Sequence, residues 1–158
     1  MREETAKLMN ILLFDDKAAV HYFVGEFLEG KGNIIHCPTC YHVIDALNDN
    51  DMSIDVYVMD LNAPTTGLTD EQKSRFPGGL LTGWVLLTDY ILSCDSNGID
   101  KAIIYSAYVD ELENHIRSVK ATLDEKEYYY QMRNQDAILK KSDNVKALSE
   151  IINNKYKK

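Results

Sequence analysis

The sequence predicts a doubly wound parallel α/β sheet of five strands with helices on both faces. Three observations carry this. Short apolar runs alternate with stretches of helical period five times along the chain, the pattern that right-handed β–α–β crossovers leave. The runs are mostly apolar rather than alternating, as strands covered on both faces are. Several stop abruptly on charged residues, and in open α/β sheets chemistry sits at the carboxyl edge of the strands. At 158 residues the chain is one domain by size, large enough to bury a full core without staples.

Met9–Phe14 is the first strand, ending in Asp15-Asp16. Lys17 to about Glu29 sets Val20, Phe23, Val24, Phe27 and Leu28 on one helical stripe, with Gly30 and Gly32 as stop signals. Asn33–Cys37 is the second strand, broken by Pro38, and Tyr41–Leu47 is a helix. Ile54-Asp55-Val56-Tyr57-Val58-Met59-Asp60-Leu61-Asn62 is the third strand with its exit, and the rest of the chain is organised around it. Residues 61–79 resist a regular reading: Pro64, Gly67, Pro77, Gly78 and Gly79 stand among polar residues. A connection that long is usually functional, but it is also cheap in closure entropy. It therefore reads equally as a partner or gating element and as a surface insertion.

Leu80–Leu92 is an apolar helix with the only tryptophan, Trp84. Ser96-Asn97-Gly98 makes a turn, and Lys101–Ala107 is the fourth strand. Asp110 to about Lys126 is expected as one amphipathic helix through Leu112, Ile116, Val119 and Leu123, with Tyr128-Tyr129-Tyr130 in the connection after it. Asp136–Leu139 is the fifth strand, running into Lys140-Lys141, and Asn144–Tyr156 the last helix, with Val145, Leu148, Ile151 and Ile152 inward. Residues 1–8 form an N-terminal extension to a single domain over 9–158.

A formal net charge of −8 argues against nucleic acid or anionic membrane as a direct partner. No apolar run approaches spanning length, and Met1–Lys7 is charged with no signal core behind it. The expectation is a cytoplasmic protein with no membrane insertion. Three cysteines are an odd count for a domain that needs no disulfide.

Asp60 stands at a strand end, where a carboxylate serves as nucleophile, metal ligand or cap. If strands one and three are central neighbours, Asp15, Asp16 and Asp60 share one pocket, and their mutual repulsion calls for a cation. A hard, oxygen-seeking ion such as Mg²⁺ meets that need. A lysine from the fifth strand adds positive charge, and Ser106 adds a hydroxyl. The set suits a phosphoryl group carried on Asp60.

Phe14-Asp15-Asp16, Met59-Asp60-Leu61-Asn62-Ala63-Pro64, Tyr105-Ser106-Ala107 and Leu139-Lys140-Lys141-Ser142-Asp143 resemble the receiver (CheY-like) domain of two-component response regulators. The likeness runs from about Met9 to Asn153, with all four signature sites in the family order. It implies a flavodoxin-like fold of strand order 2-1-3-4-5. It implies Asp60 as phospho-acceptor and Asp15, Asp16, Asp60 and Asn62 as the Mg²⁺ (or Mn²⁺) set. In that set Asp16 is the direct ligand, Asp15 a partner through water, and Asn62 acts through its backbone carbonyl. Ser106 would bond the phosphoryl oxygen and move on activation. Lys141 matches the family lysine better than Lys140, which stays open. The implied partners are a histidine kinase or phosphotransfer protein upstream and another protein downstream, with at most self-catalysed phosphotransfer and autodephosphorylation as activity. The last helix ends the chain, so the output is expected in another protein, unless the chain is an excised domain.

The chain also departs from the family pattern. The family glycine is matched best by Gly83, beyond an apparent insertion around Thr65–Gly78, and the segment between Ser106 and the lysine is long. The aromatic position three before the lysine holds Ile138, or Ala137 in the other register. Two readings from other classes stand beside the receiver. One is an unphosphorylated interaction module. The other is a small metal-dependent phosphatase, which would want a carboxylate where Asn62 stands. His36-Cys37-Pro38-Thr39-Cys40-Tyr41-His42 invites a zinc or redox reading, but four ligands within seven consecutive residues do not readily surround one tetrahedral ion. Packing at the end of the second strand is the expected role, and the tyrosine run is expected to pack the extended segment in which it stands.

Overall fold

The computed structural model describes residues 9–17, 25–26, 32–49, 53–63, 69–73, 81–141 and 145–156. Its five strands are β1 (Met9–Phe14), β2 (Gly32–Cys37), β3 (Val56–Met59), β4 (Ala102–Ser106) and β5 (Ile138–Lys140). All pair in parallel, in the order β2-β1-β3-β4-β5. This is the doubly wound sheet that the apolar runs predict, in the flavodoxin-like order that the receiver resemblance implies. The central strands are buried on both faces, with all four residues of β3 and all five of β4 inaccessible. Ile11, Leu12, Leu13 and Phe14 of β1 pack into the same core. Burying each such side chain is worth about 1.5–3 kcal/mol, so truncating Leu12 or Ile103 to Ala would cost about 2–5 kcal/mol.

The helices are α1 (Cys40–Leu47), α2 (Asp70–Lys73), α3 (Thr82–Val85), α4 (Leu92–Cys94), α5 (Gly98–Lys101), α6 (Val109–Arg117), α7 (Leu123–Asn134) and α8 (Val145–Tyr156). Between α3 and α4 the backbone widens into a π-helical stretch, Leu86–Ile91, so the helix expected over 80–92 is one continuous run from Thr82 to Cys94. Most of the helix expected over 17–29 lies outside the described residues, of which Gly25 and Glu26 are helical. The N-terminal extension 1–8 lies outside them too, as does most of the stretch 61–79. Within that stretch, Asp70–Lys73 forms a short helix. Among the described residues no helix is long and apolar enough to cross a membrane.

Four expectations need correction. The helix expected from Asp110 to Lys126 is two helices, broken over 118–122. Leu112 and Ile116 are buried, but Val119 is 102% and Leu123 83% exposed. The apolar period runs on through the break, yet local hydrogen bonding overrides it. The Thr122 hydroxyl accepts from Glu125 N–H at 3.1 Å, and the Glu125 carboxylate accepts from Thr122 N–H at 2.7 Å. This capping box starts a new helix and is worth about 0.5–2 kcal/mol. The Lys126 ammonium then donates to the Ile116 and Ser118 carbonyls at the end of α6.

Tyr128, Tyr129 and Tyr130 therefore lie within α7 rather than in a connection. Tyr129 is buried, while Tyr130 is 52% exposed.

The fifth strand starts at Ile138, not Asp136. Asp136 has φ 56°, the left-handed conformation in which aspartate is tolerated. Its N–H donates to the Arg133 carbonyl, and Ala137 N–H donates to that of Met132. The residue that looked like a strand start thus closes α7. Similarly, Lys101 ends the short helix α5, and β4 runs from Ala102 to Ser106.

Candidate phosphoryl-acceptor site

The register of the central strands builds the site. Phe14 pairs with Met59, so Asp15 and Asp60, each next in its chain, emerge side by side. Asp60 N–H seals the edge by donating to the Phe14 carbonyl at 2.8 Å. On the other side, Met59 pairs with Ile104 and Ser106 with Lys140. Lys141 follows, its N–H donating to the Ser106 carbonyl at 2.8 Å.

The side chains converge. Ser106 Oγ donates to Asp60 Oδ1 at 2.7 Å and accepts from Tyr108 N–H at 3.2 Å. Lys141 Nζ donates to Asp60 Oδ2 at 3.2 Å and also to Asp15 Oδ2. Asp15 Oδ1 accepts from Lys17 N–H at 2.9 Å, an Asx-type turn that folds the acidic pair over the strand end. Lys140, its side chain 61% exposed, pairs instead with Asp110 on α6. Lys141 is thus the lysine that contacts the carboxylates.

Carboxylate oxygens of Asp15, Asp16 and Asp60 lie within 4.8 Å of one another. Burial, the largest effect, pushes the Asp15 carboxyl up from its ordinary pKa, with Lys141 and the Lys17 N–H pulling against it. Burial also works against the Lys141 charge, but its bonds to Asp15 and Asp60 prevail and hold its pKa above the usual value. One ammonium against three carboxylates leaves the pocket short of positive charge. Both Asp15 oxygens are engaged. Asp16 is exposed, and among the described residues no hydrogen bond or ion pair holds its carboxylate. An all-oxygen set with an unengaged outer carboxylate fits a hard divalent cation. Asn62, half-buried two residues beyond Asp60, stands at the start of the exit loop.

No protein-family model matches the chain, and no curated protein matches it by sequence. Solved structures do match. A response regulator receiver domain protein from Clostridium thermocellum superposes with a TM-score of 0.60 at 20% identity, covering 95% of each chain. A CheY-like receiver domain protein from Methanospirillum hungatei JF-1 gives 0.58 at 18% identity, over 96% of this chain and 95% of its own. The receiver domain of the Francisella response regulator 1452 gives 0.57 at 21% identity, over 94% and 97%. This chain has the receiver fold.

Within that receiver frame, Gly83 lies on the first turn of α3 against the exit from β3. A β-carbon there would fall 1.8 Å from the Asp60 carbonyl oxygen, and Gly83 N–H donates to the Leu61 carbonyl at 3.0 Å. Only glycine allows so close an approach. The sequence match to the family glycine, made across a long insertion, therefore falls where the backbone requires it. Ile138, at the family's aromatic position, is half-buried on β5. The ring beside the lysine belongs to the buried Tyr105, its centroid 5.5 Å from Lys141 Nζ.

The Cys-x-x-Cys segment is packing and capping. Cys37 and Cys40 are buried free thiols, and burial pushes both up to about 12, so neither is a thiolate at neutral pH. Thr39 caps α1, its hydroxyl bonded to His42 Nδ1 at 2.7 Å and accepting from His42 N–H at 3.4 Å. Sequence reasoning missed two partners. One is Glu125, whose Oε1 accepts from Trp84 Nε1 at 2.9 Å and pairs with His115 Nε2 at 3.0 Å, joining α7 to α3 and α6. The Thr122-x-x-Glu125 capping signature was the available signal. The other is His36, whose role depends on how β2 pairs.

Proposed function

We propose that this chain is a phosphoryl-accepting receiver domain over residues 9–158. In this reading Asp60 takes a phosphoryl group from the phosphohistidine of a kinase or phosphotransfer protein in the cytoplasm. The supporting observation is a single arrangement: a strand-end carboxylate held by Ser106 on one oxygen and Lys141 on the other, beside an acidic turn.

The chemistry follows from those contacts. An Asp60 oxygen attacks phosphorus as the phosphorus–nitrogen bond to the donor imidazole breaks, the electron pair leaving on that nitrogen. Lys141 sits where charge builds on the phosphoryl oxygens, and the Ser106 hydroxyl is free to donate to one of them once it leaves Asp60. Asp15 holds Lys141 in place. Asp16, Asp60 and the backbone carbonyl of Asn62 would hold Mg²⁺, with Asp15 bridged through water. When bound, the ion supplies the positive charge that Lys141 alone does not. Output passes to another protein through altered surface contacts.

Incubation with acetyl phosphate and Mg²⁺, read by intact-mass spectrometry, should add one phosphoryl group, and Asp60→Asn should abolish the addition. An unmodified wild-type mass at saturating donor would leave the alternative, a receiver-fold interaction module that works without phosphorylation.

A further inference from the structure

His36 belongs to the histidine- and cysteine-rich segment that the phosphoryl chemistry does not use. It stands on β2 opposite Leu13, and its side chain runs toward the strand end. Its Nε2 lies 2.7 Å from the backbone carbonyl oxygen of Asp15. A carbonyl only accepts, so Nε2 carries the proton and donates. Either the neutral Nε2–H tautomer or the imidazolium makes this bond.

The Asp15 carbonyl is part of the peptide plane that joins Asp15 to Asp16. Fixing that plane fixes where the Asp16 Cα leaves the turn, and so narrows the directions open to its carboxylate. Asp15 itself is held three times over, by the Lys17 N–H, by Lys141 and by its own N–H on the Cys37 carbonyl. Among the described residues Asp16 has no such support from its side chain, so the backbone of the turn is what is seen to aim its carboxylate. β2 ends at Cys37, with Pro38 next, and the donor at the Asp15 carbonyl is a side chain from within the strand.

We propose that His36 is a positioning residue for the acidic turn. By donating to the Asp15 carbonyl, it presents the Asp16 carboxylate to the divalent cation. This rests on the receiver reading above, with Asp16 as a metal ligand. Groups that orient ligands from outside typically change metal affinity by about ten- to a hundredfold when removed.

Calorimetric titration of Mg²⁺ and Mn²⁺ into wild type, His36→Phe and His36→Gln tests it, with each metal-free protein's melting temperature measured in chelator. Phenylalanine keeps the ring volume and loses the donor; glutamine loses the ring and keeps an amide donor. His36→Phe should bind both metals about tenfold more weakly, while His36→Gln stays within about twofold of wild type. A purely structural histidine would reverse the order, with Phe tolerated and Gln impaired, and that result overturns the proposal. So does His36→Gln binding as weakly as expected for the Phe variant, a measurement that stands even if His36→Phe fails to fold. Wild type that binds neither metal would instead remove the cation from the receiver reading, and the positioning role with it.

Discussion

Gly83 touches Asp60 backbone to backbone: a β-carbon on Gly83 would sit 1.8 Å from the Asp60 carbonyl oxygen. The first turn of α3 therefore rests directly on the proposed acceptor residue. Trp84, next in the chain, carries the contact on to Glu125 at the start of α7. A short chain of contacts thus runs from Asp60 to the α6–α7 junction, where Val119 and Leu123 face solvent.

The glycine gives the first prediction. Alanine at position 83 gains about 1 kcal/mol of helix propensity. The clash, however, is with backbone, which no rotamer relieves, and overpacking of this kind costs about 1–3 kcal/mol or more. Gly83→Ala should therefore lower the urea midpoint and slow phosphorylation of Asp60. A variant as stable and as reactive as wild type would mean that α3 retreats freely and that the contact does not matter.

The two lysines should separate sharply. Lys141→Met leaves the Asp15 and Asp60 carboxylates facing each other without a cation, and breaking a buried pair from one side costs about 3 kcal/mol. The Lys140–Asp110 pair is exposed, so Lys140→Met should stay within about 0.5 kcal/mol. Urea unfolding at neutral pH measures both. Equal effects from the two substitutions would contradict the assignment of Lys141 to the site.

Glu125 supplies a pH dependence. Burial raises its pKa, but the Thr122 N–H, His115 and Trp84 outweigh burial and hold it below the ordinary 4.5. A group depressed in the folded state contributes stability that is present above about pH 4.5 and lost as pH falls through the folded value. Glu125→Gln keeps an acceptor for the indole and gives up the charge. Wild type should be the more stable at pH 7, with the gap closing below about pH 4. Trp84, the only tryptophan, reports unfolding and its own lost bond by fluorescence. A gap that is the same at pH 7 and pH 3 would rule the charge out as its source.

By itself the sequence determined the sheet and its strand-end carboxylates. Strands buried on both faces must be largely apolar, and Met9–Phe14 reads that way apart from the half-buried Asn10. Asp60 and Ser106 were legible because each interrupts or ends such a run. Periodicity failed where hydrogen bonding at chain breaks competes with it. Leu112, Ile116, Val119 and Leu123 keep helical spacing across a junction that Thr122 and Glu125 terminate. Asp136 likewise looked like a strand start while its left-handed backbone closed a helix.

Tertiary structure alone decided what depends on register between distant segments. Side chains alternate along a strand, so a one-residue shift of β5 exchanges Lys140 and Lys141 between solvent and site, and only pairing with β4 resolves it. His36 meets the Asp15 carbonyl because β2 pairs with β1 in one register, and Glu125 meets Trp84 41 positions away because α7 folds back on α3. Spacing along a chain fixes which face a side chain takes. Which partner waits on that face is set by how the elements pack.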